Sequence, residues 1–257
     1  MAAYYNENKP YAAQWLRNLI AAGLIAPGDV DERSIEDVRP DDLKQYTQCH
    51  FFAGIGVWSY SLRLAGWPDD RAVWTGSCPC QPFSIAAVAW ERKGFDDHRH
   101  LWPVWFDLIR KCVPVGVFGE QVGSKDGIAW LDTVFDNLES EDYACAARVI
   151  SAAGAGADHI RKRLYFFADS LRAGRPRHRP VERISIAAQT AFTESRNAAA
   201  RLRSAMAGDY SDLLPGDEPL IAVERLRAHG YGNAINAASA CAFIEAASEA
   251  LDEYDLI

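Results

Sequence analysis

Cys80 is framed by prolines in the string Pro79-Cys80-Gln81-Pro82-Phe83-Ser84. Each proline fixes its own φ near about −65° and turns the residue before it away from helix, so the thiol is expected on a stiffened loop after the apolar stretch Ala72-Val73-Trp74. A covalent catalyst needs such a support, because its reacting atom must be held in place. Three further segments carry groups that suit chemistry. Phe52-x-Gly54-x-Gly56 lies between a strand-like run, Cys49-His50-Phe51-Phe52-Ala53, and a helix-like one, and glycines there let a ligand approach the backbone at a helix N-terminus. Glu120, in Gly119-Glu120-Gln121-Val122, directly follows an apolar strand and can reach a pocket at a sheet edge. Arg161 and Arg163, two residues apart, enter the strand Leu164–Ala168 on one face. Taken singly, each has an ordinary structural use: a cysteine filling an apolar hole, a packing turn, a helix-capping glutamate, a pair of surface arginines.

The elements that must position these groups follow from periodicity. Residues 10–45 read as short helices: Trp15, Leu16, Leu19 and Ile20 share a face, Gly23 stops the run, and Ser34-x-x-Asp37 starts another. From Gln48 the pattern becomes strand, glycine loop and helix, then a strand over 72–75 that feeds the cysteine loop. A helix is expected over 101–111, a buried strand over 113–118 and a helix over 128–139. Strands over 143–150 and 164–168 follow, with a closing helix at about 235–251. Alternation of this kind predicts an α/β fold, a Rossmann-like and mostly parallel sheet flanked by helices, with functional groups at the strand ends. The expected organisation is a helical N-terminal extension over 1–46, a catalytic domain over 47–168 and 230–257, and a short basic segment over 169–229.

Composition narrows the function classes. The chain has 257 residues, 49% of them hydrophobic, and a formal net charge of −8. It is long enough for one sizeable core, and its charge disfavours a general polyanion binder. Between Arg161 and Arg203, however, eleven Lys/Arg face three Asp/Glu, enough for a local phosphate-facing surface. Six scattered cysteines have neither framework spacing nor a CxxC pair, which predicts reduced thiols and no metal site. The sequence holds no apolar run of about 18 residues and begins on a polar stretch, so the expectation is a soluble, cytoplasmic protein without a membrane partner.

In their order and spacing, Phe52-Ala53-Gly54-Ile55-Gly56, Pro79-Cys80-Gln81-Pro82-Phe83-Ser84, Glu120-Gln121-Val122, Arg161-x-Arg163 and the late Gly232-Asn233-Ala234-Ile235 resemble the cytosine-C5 DNA methyltransferase family, in versions like those of phages and prophages. The resemblance covers residues 48–168 and 230–257. It implies that Cys80 adds to carbon 6 of a flipped cytosine in DNA, that Glu120 acts at N3, and that Arg161 and Arg163 line the pocket. It also implies S-adenosylmethionine as methyl donor, held by Phe52, Gly54, Gly56 and Asn233, with Pro79, Gln81 and Ser84 beside the base.

The resemblance fails in one place. Family members carry two more strand-helix units between the glycine loop and the cysteine loop, the first supplying an acid to the donor's ribose and the second walling its adenine. Here only Val57 to Pro79 separates the two loops. Asp69 or Asp70 is a candidate for the ribose acid, and nothing in that interval replaces the adenine wall. Three options stay open: a reduced adenosylmethionine site, one completed by the N-terminal helices or by a partner in a homo-oligomer, and a different donor such as methylene-tetrahydrofolate.

Overall fold

The structure is a computed structural model that describes residues 2–79, 101–152, 162–170 and 235–254. Within them lie β1 (Ala2–Asn6), α1 (Pro10–Ala21), β2 (Gly28–Asp31), a 3-10 turn (Ile35–Asp37), α2 (Pro40–Leu43), β3 (Tyr46–Phe51), α3 (Val57–Leu64) and β4 (Val73–Gly76). They continue with α4 (Trp102–Cys112), β5 (Gly116–Val122), α5 (Lys125–Ser140), β6 (Tyr143–Ser151), β7 (Lys162–Ser170) and a closing helix, α6 (Ala237–Tyr254). One seven-stranded sheet has the order β2-β1-β3-β4-β5-β7-β6. The first five strands in that order are parallel, and β7 runs antiparallel to both β5 and β6. The expected α/β class and mostly parallel sheet are therefore present.

The reading of residues 10–45 as helices alone is corrected. The helix at Pro10–Ala21 forms as expected, but β1 and β2 flank it and both join the main sheet. The physical reason is period two. Tyr4 packs with Phe51 and Trp74 on one face of the sheet while Tyr5 packs with Leu16 and Ile25 on the other. Each tyrosine also satisfies its hydroxyl. Tyr4 donates to Asp31 Oδ2 at 2.7 Å and Tyr5 to the Ala26 carbonyl at 2.6 Å. A run that looks polar at its hydroxyls is thus a strand buried from Ala3 to Asn6.

Two cores lie on the two faces. On one, α2, α4 and α5 contribute Leu43, Trp105, Ile109, Trp130, Val134 and Leu138. On the other, α1 packs beside β2, α3 is tied to β1 by a 2.9 Å hydrogen bond between Tyr5 and Ser59 and packs against α6, and α6 covers β5 and β7 through Phe243 and Ile244. Register places Val30, Tyr5, His50, Thr75 and Phe118 in one row on this second face.

This arrangement fixes the hand of three crossovers relative to one another. β1-α1-β2 steps toward the β2 edge over the second face, and β3-α3-β4 steps the opposite way over that same face. Parallel strands joined in opposite lateral directions over one face have opposite hands. The β2-to-β3 connection moves the same way as β3-α3-β4 but over the first face, where Leu43 of α2 is buried, so it shares the hand of β1-α1-β2. β3-α3-β4 therefore has the hand opposite to the other two, a departure from the single hand that about 98% of such crossovers share.

Candidate active site

The register of the sheet brings the chemistry to one edge. Asp31, Asn6, Phe51, Gly76 and Gly119 form a single cross-strand row at the carboxyl ends of five parallel strands. The next residue of each chain is Glu32, Glu7, Phe52, Ser77 and Glu120. Open α/β sheets bind ligands just beyond this edge. The glycine loop, the start of the cysteine loop and the predicted acid therefore arrive level with one another.

Glu120 lies on β5 beyond the point where β4 ends, and the strand runs on to Val122 rather than stopping at residue 118. That extension is held by β7, which pairs Glu120 with Tyr165 and Val122 with Arg163. Arg163 then reaches diagonally, its Nε 2.6 Å from Glu120 Oε1, with the two side chains 20% and 9% exposed. Such an ion pair, largely shielded from water, fixes the direction in which the carboxylate points. Arg163 is expected to line the pocket, and its ion pair with Glu120 is a contact the sequence does not predict. Beneath Glu120, Gly119 lets the Phe166 ring lie directly on the sheet: a Cβ at 119 would fall 2.0 Å from Phe166 Cζ.

Phe52, Gly54 and Gly56 form the turn between β3 and α3, with φ of 51°, 56° and 79°. A positive φ at Phe52 costs a side-chain-bearing residue about 1 kcal/mol or more and is held by the surrounding loop. A Cβ on Gly54 would meet nothing nearer than the Phe52 carbonyl at 4.0 Å, so open space lies above its backbone. Pro79 is half-buried at the end of the short segment after β4. Cys78, its neighbour, is buried, and burial pushes its thiol well above the usual range, as suits an inert core cysteine. Cys80, Gln81, Ser84, Arg161 and Asn233 lie outside the described residues.

The residue that sequence reasoning missed is Glu7. It follows β1 directly, is 8% exposed, and accepts the Gly54 N–H through Oε2 at 2.8 Å and the Lys9 N–H through Oε1 at 3.0 Å. A carboxylate at the end of the strand beside the glycine loop is the arrangement that Rossmann-like folds use for ribose hydroxyls. The signal available was an acid immediately after a short aromatic strand and just before a helix that opens on Pro10. Asp69, by contrast, sits before β4, at the opposite edge of the sheet, and is held by Arg63 through contacts of 3.0 and 2.6 Å. It is removed as a ribose acid, and Asp70 lies at that same far edge. Among the described residues no group of three His, Cys, Asp or Glu is placed to hold a metal ion, and no helix is long and apolar enough to cross a membrane.

Beneath the sheet edge, His50 is entirely buried, stacked on Tyr5 at 4.8 Å, with Nδ1 2.8 Å from Thr75 Oγ1. Burial pushes its imidazole down to about 3, so it is neutral across the physiological range. It stiffens the joint between β1, β3 and β4 just below the glycine loop.

Comparison with known proteins gives a consistent family. A sequence model of the C-5 cytosine-specific DNA methylases matches residues 66–198, slightly more than half of the chain. The type II methyltransferase M.HhaI of Haemophilus parahaemolyticus is 32% identical over 102 residues, which are 37% of this chain and 30% of that protein. Among solved structures, DNMT2 of Spodoptera frugiperda aligns with a TM-score of 0.46 and 14% identity over 70% of this chain and 45% of its own. A putative DNA modification methyltransferase encoded within a prophage of E. coli aligns with a TM-score of 0.41 and 14% identity over 69% of this chain and 49% of its own. The chain thus spans less than a third of the curated relative it matches and about half of each solved one.

Proposed function

The chain belongs to the C-5 cytosine-specific DNA methylase family, and on that premise we propose that it is a DNA cytosine-C5 methyltransferase whose donor site is completed by its own N-terminal segment. The observation that carries this reading is the shared edge row. Glu7 after β1, the glycine loop after β3 and Glu120 with its Arg163 partner on β5, two strands farther along, all stand at the same edge of one sheet, so a base and a donor bound at them would lie along that edge toward each other. Cytosine carbon 5 is a weak nucleophile. Addition of the Cys80 thiolate to carbon 6 converts the ring to an enamine, and the negative charge this builds is relieved by a proton at N3. Glu120, oriented by Arg163, is the group for that proton. Once carbon 5 carries an incoming group, loss of its remaining proton would eliminate the Cys80 thiolate and restore the aromatic ring. Arg161 extends the cationic wall that favours the thiolate, and Pro79, Gln81 and Ser84 set the loop against the base. A base within a duplex cannot undergo these steps, so the cytosine is flipped out.

S-adenosylmethionine, when bound, supplies an electrophilic methyl group. Glu7 would accept its ribose hydroxyls, Phe52, Gly54 and Gly56 would take the amino-acid end and purine side, and Asn233 would close the site from the last helix. The case for a folate donor rested on two absent strand-helix units. β1-α1-β2 stands in the corresponding sheet positions, next to the glycine-loop strand, so that case loses its support.

Expression in a host without cytosine modification, followed by mass spectrometry of digested DNA, tests the reading. The expected outcome is 5-methylcytosine from the wild type and none from Cys80→Ser. Unmodified DNA from the wild type refutes it, and a heavier modified cytosine assigns a different donor.

A further inference from the structure

The edge that carries Glu120 is electrically lopsided. Toward β2 the surface is rich in acids whose cations are already engaged: Arg33 pairs with Asp31 at 2.7 Å and Asp42 at 3.0 Å, and Arg17 with Glu32 at 2.6 Å. These residues, with Asp29, Asp41 and Lys44, line a groove of about 640 Å³ alongside β2. On the far side of Glu120 the exposed side chains include three cations. Lys125 opens α5, Lys162 opens β7 and Arg148 points outward from β6. Among the described residues none of the three is in an ion pair.

Register places them around the catalytic pair. Glu120 pairs with Tyr165 and Tyr165 with Arg148, so Arg148 ends the same cross-strand row as Glu120. At about 4.8 Å per strand the two backbones are roughly 10 Å apart. Lys162 precedes Arg163, and its carbonyl accepts the N–H of Gly123 at 3.3 Å, which brings the start of β7 against the turn that leads into α5. The N-terminus of α5, capped by the Ser124 side chain on the Gly127 N–H at 3.1 Å, adds its partial positive charge, although Asp126 in the first turn offsets part of it. Arg148 stands on the face of Glu120 and Arg163, while Lys162, the middle residue of the arginine pair's motif, belongs to the opposite face with Lys125, so the three border the carboxyl edge beyond Glu120 from both faces of the sheet.

We propose that Lys125, Arg148 and Lys162 seat backbone phosphates of the DNA duplex on the flank of the flipped cytosine, and that the acidic β2 side keeps the duplex off the donor half of the edge. This rests on the methyltransferase reading above. Phosphate contacts of this kind position the duplex and carry no sequence information. Each releases counterions, which makes the number of contacts measurable.

The test is equilibrium binding of a cytosine-containing duplex by the full chain at salt concentrations from about 50 to 200 mM, over which counterion release dominates affinity. Lys125→Gln, Arg148→Gln and Lys162→Gln should each lower the slope of log K against log salt by roughly 0.9, and the triple variant by roughly 2.7. KM for DNA should rise while kcat at saturating DNA stays at the wild-type value. Lys44→Gln, on the acidic side, should leave the slope unchanged. Thermal melts guard against unfolding, since exposed substitutions shift stability by only about 0.5 kcal/mol. A triple variant that keeps the wild-type slope, or a Lys44→Gln variant that loses as much, overturns the proposal. So does patch-dependent binding of an RNA duplex in place of DNA. If the wild type methylates cytosine while the triple variant binds unaltered, the patch fails and the methyltransferase reading stands; if the wild type methylates nothing, both fall.

Discussion

The burial of His50 makes the position of β1 measurable in solution. His50 is covered on one side by Tyr5, so it is buried only if residues 2–6 are in the sheet. Its folded pKa of about 3 lies far below the roughly 6.5 expected of an unfolded chain. The unfolded state therefore binds the extra proton first, and the sign follows: the contribution is whole above about pH 6.5 and is lost progressively as the pH falls toward about 3. At pH 5 the unfolded imidazole is protonated and the folded one is not. The loss there is set by the interval from about 6.5 to 5, and at about 1.36 kcal/mol per unit it comes to roughly 2 kcal/mol. For a domain of this size that is about 4–8 °C in Tm. Urea or thermal melts of wild type and His50→Gln at pH 7 and pH 5 isolate it, because every other titrating group is common to both. The wild type should lose about 2 kcal/mol more than the variant between those pH values. Parallel losses would refute the buried histidine, and with it the placement of the N-terminal strand.

Further outcomes follow from the same edge. Glu7→Gln should weaken adenosylmethionine binding by about 10- to 100-fold, the range expected when a charged acceptor loses its hydrogen bonds, as read by calorimetry, while Glu120→Gln leaves donor affinity intact. Equal donor affinities in wild type and Glu7→Gln would remove Glu7 from the site. Gly119→Ala drives a methyl into the Phe166 ring and should cost about 1–3 kcal/mol in denaturant unfolding, with part of the loss recovered in a Gly119→Ala, Phe166→Leu double variant. No recovery would place the strain elsewhere.

Most elements between residues 48 and 170 were legible because periodicity and turn residues agreed there. Gly54 and Gly56 marked the turn into α3, and the run from Val113 to Phe118 marked β5 but neither of its bounds, since the strand begins at Gly116. That strand continues to Val122 because β7 pairs with it residue by residue, a long-range effect invisible in local pattern. The acid at 120 and the arginine at 163 were readable as types, whereas their 2.6 Å contact depends on that antiparallel register. The N-terminal strands were hidden for a different reason. Ala2-Ala3-Tyr4-Tyr5-Asn6 is short, and its two tyrosines register as polar, yet Tyr4 and Tyr5 bury their rings on opposite faces and each finds a hydrogen-bond acceptor. Gly28-Asp29-Val30-Asp31 carries two aspartates and has no apolar signal of its own, and it is a strand because β1 pairs with it along its length.

The hand of β3-α3-β4 ties the chain order to the site. If a donor-binding strand-helix-strand unit stood after the glycine-loop helix, α3 would lead toward β1, and its crossover would have the same hand as β1-α1-β2. In this chain β1-α1-β2 precedes the glycine loop, and α3 turns back to β4 with the opposite hand. A sequence match that runs in one direction can follow only one side of such a reordering, and the family match begins at Gly66, just past the end of α3. On the proposed reading the site would tolerate this order, because the edge is set by which strands are neighbours and by the row in which they end, not by the order in which the chain visits them. Glu7 reaches the Gly54 N–H from 47 positions upstream as effectively as an acid placed after the loop would from downstream. What this order forfeits is the usual crossover preference at one connection, and the Tyr5–Ser59 bond, the clustering of Trp58 and Leu62 with Val73 and Phe118, and the packing of α3 against α6 hold α3 in place.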